Sequence, residues 1–371
     1  MTCAWKENWE ETRQHFVDYW NRDGFLVGAW GAPKKPAENG VVVPHEEVED
    51  PGPPPSLEAF HRDPDLRAKI NHWTMAHSTF PIDTIPLVTH EVGPGSLALY
   101  LGSPAGLDRR TVWYHPIWDK IEDPESLPPL EFDPEQEWVR IIEEGLRKSR
   151  ALADGKYLVG SPDLIENIDI LASLRDNNQL LMDFVMRPEW VDQKLQEINR
   201  AWLTAYERVY NITKEADGSS SFRAFCVWGP GKAAKLQSDA SAMISPAMFE
   251  RFVAPYLDEQ CEYLDQSMFH LDGHQCICHL DLLLGIEGLD AIEWTPDPQV
   301  PSGGSPEWYD MYRKIIEAGK CIQAIGVKQD EIVPLLEAVG TKGVYILTNI
   351  ESPEQAKEIE EMIAPYRKQA S

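Results

Sequence analysis

Imidazole and carboxylate side chains gather where apolar runs of this chain stop. The run MFHLD (268–272) ends in His270 and Asp272, and DAIEW (290–294) carries Glu293. Asp239 stands in a short segment ahead of the helix-like SPAMFERF. Residues 270 and 272 of one strand point to the same side, which suits two ligands of one ion. His270, Asp272 and Glu293 together have the chemistry of a divalent metal site, zinc or another ion. The same groups, with Asp239, could carry general acid–base catalysis, because crowded carboxylates push one another's pKa values apart. A plain structural hydrogen bond from His270 to a neighbour is the competing reading.

A second cluster, His274, Cys276, Cys278 and His279, follows in GHQCICHL. Its spacing is poor for a structural zinc site, which needs four ligands and usually C-x₂₋₄-C pairs. A helix starting near residue 275 puts Cys276 and His279 on one side, His274 and Cys278 on another. The expectation is buried thiols at a helix start, with no Cys276–Cys278 disulfide. The tripeptide GPG occurs at 93–95 and 229–231. It reads as a tight turn or, less commonly, as an anion-holding nest.

These residues need a scaffold that brings distant segments together. Eight apolar runs read as strands: 25–30, 85–90, 156–161, 222–228, 268–272, 290–294, 321–326 and 344–348. The last four are separated by the helical patterns CHLDLLLGIEG, SPEWYDMYRKIIEAG and QDEIVPLLEAVG, and SPEQAKEIEEMI closes the chain. This alternation predicts an α/β fold with a parallel sheet, specifically a (β/α)8 TIM barrel, whose chemistry sits at the carboxyl ends of the strands. An open doubly wound sheet is the runner-up, but no GxGxxG follows a strand. Ser245 and Pro246 predict a capped helix over 246–264, kinked at Pro255.

The barrel reading gathers Trp30, His90, Asp163, Trp228, His270, Asp272, Glu293 and Thr348 at one mouth, with Asp239 close by. His270, Asp272, Asp239 and Glu293 are the expected catalytic set. Trp228, His90, Asp163, Arg175, Lys232 and Trp294 are the expected substrate-binding residues, with Arg223 as a further cation. The chain reads as a single domain over 1–371. Residues 1–80 form an N-terminal helix and lid segment, and 81–371 the barrel bulk. Proline-rich insertions lie at 31–65 (Pro33, Pro36, Pro44, Pro51 and Pro53–Pro55) and 102–135. Loops of such length are commonly lids or binding loops.

The net charge of −27 argues against a nucleic-acid partner, which needs a basic face, and against an anionic membrane surface. No segment approaches ~18 consecutive apolar residues. Six cysteines in 371 residues and an N-terminus without a secretory pattern suggest free thiols in a reducing, cytoplasmic setting.

LQSDASAMISPAMFERFVAPYLDE, the HLDG after it, and EWTPD resemble the uroporphyrinogen decarboxylase superfamily. That group includes corrinoid-dependent methyltransferases acting on methylcobamides. The resemblance runs from about residue 85 to the end and is strongest over 236–297. It implies a barrel, a pocket at the strand carboxyl ends and a small-molecule substrate. It further implies a corrinoid as methyl donor or acceptor, free or on a corrinoid protein, and a homodimer. Methyltransferase members carry His-x-Cys at the end of strand five and a later cysteine. Here His270-Leu271-Asp272 and Ile346-Leu347-Thr348-Asn349 stand instead, so a thiolate zinc site is absent and any metal sits among oxygens. The arginine-rich motif of the true decarboxylases is missing from FLVGAWGAPKKP. Methyl transfer is therefore the first expectation. A lyase or decarboxylase on a small carboxylic acid, and a non-catalytic binding barrel, are the alternatives.

Overall fold

The computed structural model describes residues 3–31, 33–35, 37–38, 41–108 and 112–370, with backbone only at 37–38, 41–42 and 368–370; Pro36 lies outside the described residues. Eight parallel strands carry the architecture: β1 Phe25–Ala29, β2 Leu87–Val88, β3 Leu158–Val159, β4 Ala233–Gln237, β5 Gln266–Asp272, β6 Ala291–Thr295, β7 Cys321–Val327 and β8 Val344–Thr348. Six form one parallel sheet in the order β1-β8-β7-β6-β5-β4, while β2 and β3 pair in parallel by themselves. Side chains span the step from β1 to the segment before β2. Asp83 Oδ2 accepts from the Val27 amide and Thr84 Oγ1 from the Ala29 amide, each at 2.8 Å.

Period-two alternation sorts the strand residues onto two faces. Phe25, Val27, Phe269, Leu271, Ile292, Trp294, Ile322, Ile346 and their like pack against the flanking helices. Leu26, Leu87, Leu158, Met268, Ala291, Cys321, Tyr345 and Leu347 form a separate cluster on the opposite, inner face. Helix Trp9–Trp20 covers the amino ends of the strands. It buries Phe16 against Tyr345 and Trp228, with ring centroids at 5.6 and 6.1 Å. The inner face is thus apolar toward the amino ends and polar toward the carboxyl ends.

One expected strand is replaced. The run 222–228 does not form a sheet strand; it folds into an antiparallel hairpin, Ser220–Phe222 with Val227–Gly229. Cys226, at φ 53°, makes the reversal. The hairpin touches β3 through one parallel bridge, Ser161 to Phe222. The true sheet strand is AAKLQ, five residues later. Its inward positions are Lys235 and Gln237, so it lacks the continuous apolar run that marks its neighbours. The helix expected over 246–264 is present as Pro246–Phe252 and Ala254–Tyr263. Ser245 caps it by accepting from the Met248 amide at 3.3 Å. The break at Val253 adjoins Pro255, which has no N–H for the helical ladder. No helix among the described residues is long and apolar enough to cross a membrane.

Phe16→Ala removes a fully buried ring from the inner cluster. The expected loss is about 3–5 kcal/mol of unfolding free energy, read as a lower urea midpoint at unchanged m-value.

Candidate active site

His270 of β5 and Glu293 of β6 are register partners across the ladder. His270 Nδ1 donates to Glu293 Oε2, and Thr295 Oγ1 donates to the other carboxylate oxygen at 2.7 Å. Glu293 is completely buried. Burial alone would lower the His270 pKa, but the Glu293 charge and hydrogen bond outweigh it and hold the imidazole above its ordinary value. With Nδ1 committed, Nε2 is the nitrogen left for a proton or an ion. Phe225, at the tip of the hairpin, lies against the imidazole at 4.9 Å between ring centroids, and Trp30 meets Phe225 edge-on at 5.7 Å.

Asp239, His270 and Asp272 each offer a ligand atom, and these atoms lie within 4.8 Å of one another. The loop bearing Asp239 is fixed from two sides. Its amide and that of Ala240 donate to the two oxygens of Asp169, each at 2.8 Å, and Gln237 Nε2 donates to Asp239 Oδ2 at 2.9 Å. From the other side His279 Nε2 donates to the Ser241 carbonyl at 2.9 Å, while Cys276 Sγ meets Ser241 Oγ at 3.7 Å. Cys276 and His279 are buried and hold the loop; His274 and Cys278 are exposed on the other side, so of the two thiols expected to be buried only Cys276 is. All six thiols are free.

Loss of surrounding water, and then the neighbouring Asp169 charge, raise the Asp239 pKa to about 7 against the opposing pull of His270 and Lys235. The carboxylate is nevertheless exposed at the rim, so solvent screening trims the effect.

Below this rim lies a buried ionic layer built on Asp163, Glu166, Lys235 and Gln237. Lys235 Nζ is 2.9 Å from Asp163 Oδ1 and donates to Asp163 Oδ2 at 3.0 Å and to Gln237 Oε1. Burial would lower the Lys235 pKa; Asp163 and Glu166 raise it above the ordinary value. Glu166 accepts from the Gln237 amide through Oε1, while its buried Oε2 has no partner. Burial pushes its pKa well above the ordinary value, against the opposing pull of Lys235 and the Gln237 amide. Ile165 and Asn167, on either side of it, hold φ of 53° and 54°. That conformation is strained, for a β-branched residue above all, and such strain concentrates at functional sites. The one sequence signal for this layer was a lysine inside the short alternating stretch AAKLQ.

Several expected substrate contacts lie elsewhere. His90 is fully buried against Gly145, where any Cβ would collide with its ring, and its Nε2 donates to the His61 carbonyl at 3.4 Å. Burial, then Arg67, lower its pKa to about 3. Trp228 is buried at the amino ends, beneath Trp9 and Phe16. Trp294 points to the helix side and packs on Trp308, because its even register opposes that of Glu293. Arg175 is buried in an ion pair with Asp183 at 2.8 Å. Lys232 precedes β4, at the opposite end of the sheet, and pairs with Glu207 at 2.8 Å. Neither GPG is a free nest. Asp163 O accepts from the Gly95 amide at 3.1 Å, and Gln266 Oε1 from the Gly231 amide at 3.1 Å. Glu293, expected as a metal ligand, is instead engaged by His270 and Thr295; Asp239 takes its place in the trio.

A cavity of about 590 Å³ meets the trio at Asp239 alone, and is lined also by Pro94, Gly95, Tyr114, Asp169, Gln237 and Met243 among others. A second, of about 540 Å³ between Trp5, Lys6, His45 and Pro353, borders none of these groups.

The parallel sheet with its polar centre at the strand carboxyl ends defines an α/β protein of enzyme-like layout. In overall architecture the chain is similar to a methyltransferase from Methanosarcina mazei. The TM-score is 0.57 over 96% of this chain and 98% of that one, at 11% sequence identity, a likeness of fold alone. No family model and no curated protein sequence matches the chain.

The raised Asp239 and His270 values set a pH dependence. Folded Asp239 keeps its proton up to about pH 7, whereas the unfolded chain releases it near 3.8. The native state binds more protons between these values, so stability falls as pH rises through that window. His270 acts in the same direction: its contribution is full below its unfolded value and is lost as pH rises through the folded one. Asp239→Asn is expected to flatten the decline in urea midpoint between about pH 4 and pH 7; an unchanged slope would show that Asp239 titrates normally.

Proposed function

We propose that this chain is a methyltransferase on a closed (β/α)8 barrel of the uroporphyrinogen decarboxylase type, with a metal-assisted centre at Asp239, His270 and Asp272. The observation that carries the reading is the convergence of these three side chains at the carboxyl ends of the strands, with Glu293 behind the imidazole. The methyltransferase-like architecture and the LQSDAS…HLDG…EWTPD stretch support it. In this reading the six-stranded sheet and the β2–β3 pair form one ring. Asp83 and Thr84 span one gap and the 220–229 hairpin fills the other.

The donor set fits a divalent ion of intermediate hardness. One imidazole and two carboxylates are a zinc-type catalytic set, in which ligand atoms stand about 3–3.5 Å apart, so small side-chain rotations would seat the ion. Glu293 occupies the outer position that orients a ligating histidine and raises its basicity. The ion would lower the pKa of a bound hydroxyl or thiol acceptor. Asp272 and Asp239 hold the charge of the centre, and Phe225 fixes the imidazole plane. The acceptor's lone pair attacks the methyl carbon, its proton leaves to a basic group at the rim, and the bonding pair stays with the donor. That donor is a corrinoid, free or on a partner protein. A second reading follows from the Asp239 pKa near 7: without metal, Asp239 itself is matched to take the acceptor's proton near neutral pH.

Protein purified without chelator is expected to hold about one divalent metal per chain. His270→Ala should abolish it, and Glu293→Gln should weaken affinity about 10–100-fold. Metal absent from wild type as well as variant would leave only the acid–base centre. Methylcobalamin, followed spectroscopically, should be demethylated in the presence of a thiol or phenol acceptor and not by the His270→Ala protein. Failure of wild type with every thiol and phenol tried would overturn the methyltransferase reading.

A further inference from the structure

Two arginines near this centre have no anionic partner. Arg67 lies on helix Pro64–Ala76, with its guanidinium stacked over Phe60 at 4.1 Å. Arg223 occupies the hairpin tip, two residues from the Phe225 ring that lies against His270. Among the described residues neither forms an ion pair within 4.0 Å, and the one polar contact of Arg223 is a weak one to Cys226 Sγ at 3.9 Å. Both are only partly exposed.

Their surroundings explain why the vacancy matters. Glu91 is the one carboxylate within Coulombic range of both guanidinium groups, and they are within range of each other. Glu91 is itself engaged, accepting from the Asp163 amide through Oε2 at 2.9 Å. Burial and then the Asp163 charge push its pKa up, against the opposing pull of the two arginines. Lys235, the other cation of the centre, is already matched by Asp163. Arg67 and Arg223 are therefore the cations of this region that form no ion pair among the described residues, and Glu91 faces both without a direct contact. Partly desolvated guanidinium groups without partners are costly, and each presents a planar fork of donors suited to an oxyanion.

We propose that Arg67 and Arg223 form an oxyanion-binding subsite that grips the substrate by a carboxylate or phosphate while its reacting end lies at Asp239, His270 and Asp272. This deepens the reading of the mouth as the active site and rests on it for the substrate's orientation, but anion binding can be measured without turnover. The acidic trio then repels an anion placed end for end, which sets the orientation of the substrate.

Calorimetric titration of the metal-loaded wild-type protein with benzoate, phenyl phosphate and neutral benzamide tests it. Saturable binding of at least one anion, and weaker binding of benzamide, is expected. Benzoate against phenyl phosphate separates a carboxylate site from a phosphate site. Arg67→Met and Arg223→Met should each weaken anion binding about tenfold or more, with metal content unchanged. Arg223→Lys should recover part of the loss, and Lys232→Met, at the other end of the sheet, should have no effect. Equal anion affinity in wild type and both methionine variants, or no preference for the anions over benzamide, would overturn the subsite. Anion binding that depends on both arginines in a protein inert toward methylcobalamin would sink the methyltransferase reading and leave the subsite standing.

Discussion

The two-residue period of the parallel strands is the constraint on which the centre depends. Each inner-facing register position continues an apolar floor into a polar rim. Met268 leads to His270 and Asp272, Ala291 to Glu293, Cys321 to Gln323, and Ala233 to Lys235 and Gln237. A slip of one residue in β5 or β6 would exchange His270 for Leu271, or Glu293 for Trp294. The outer face, with Leu271, Ile292 and Trp294 packed under helices, makes such a slip prohibitive. The hydrophobic effect on one face thus fixes the direction of the polar groups on the other.

Charge inside this frame is arranged in depth. Lys235 and Asp163 pair at the bottom, Glu166 accepts from the Gln237 amide beside them, and Asp169 accepts from two backbone amides of the Asp239 loop. Toward the rim Asp239, His270 and Asp272 bring ligand atoms within 4.8 Å of one another. The Lys235–Asp163 pair and the Asp169 contacts thus give the Asp239 loop rigid support. The strained backbone at Ile165 and Asn167 belongs to the supporting layer, where packing over-determines it.

The hairpin at 220–229 joins floor to rim. Its base places Trp228 against the amino-end helix, and its tip brings Phe225 to His270. Gln323 Nε2 donates to the Phe225 carbonyl at 2.9 Å, and Tyr345 Oη to that of Cys226 at 2.9 Å. Residues of β7 and β8 therefore hold the turn that positions the imidazole. The apolar character of FRAFCVW reflects this buried course rather than membership of the sheet.

Local sequence was sufficient for seven of the eight strand positions, the capped and broken 246–263 helix, and the pairing of His270 and Asp272 on one side of a strand. Each of these follows from periodicity or backbone chemistry acting over a few residues. It was insufficient for β4, whose polar inward residues erase the apolar signal, and for the roles of Trp228, Trp294, Arg175 and Lys232, which depend on which face or end of the sheet they occupy. It could not distinguish Glu293 as support from Asp239 as a rim group, since both are carboxylates near strand ends. Only the tertiary structure decides that, because burial and the register across neighbouring strands determine which oxygen meets an imidazole and which meets solvent.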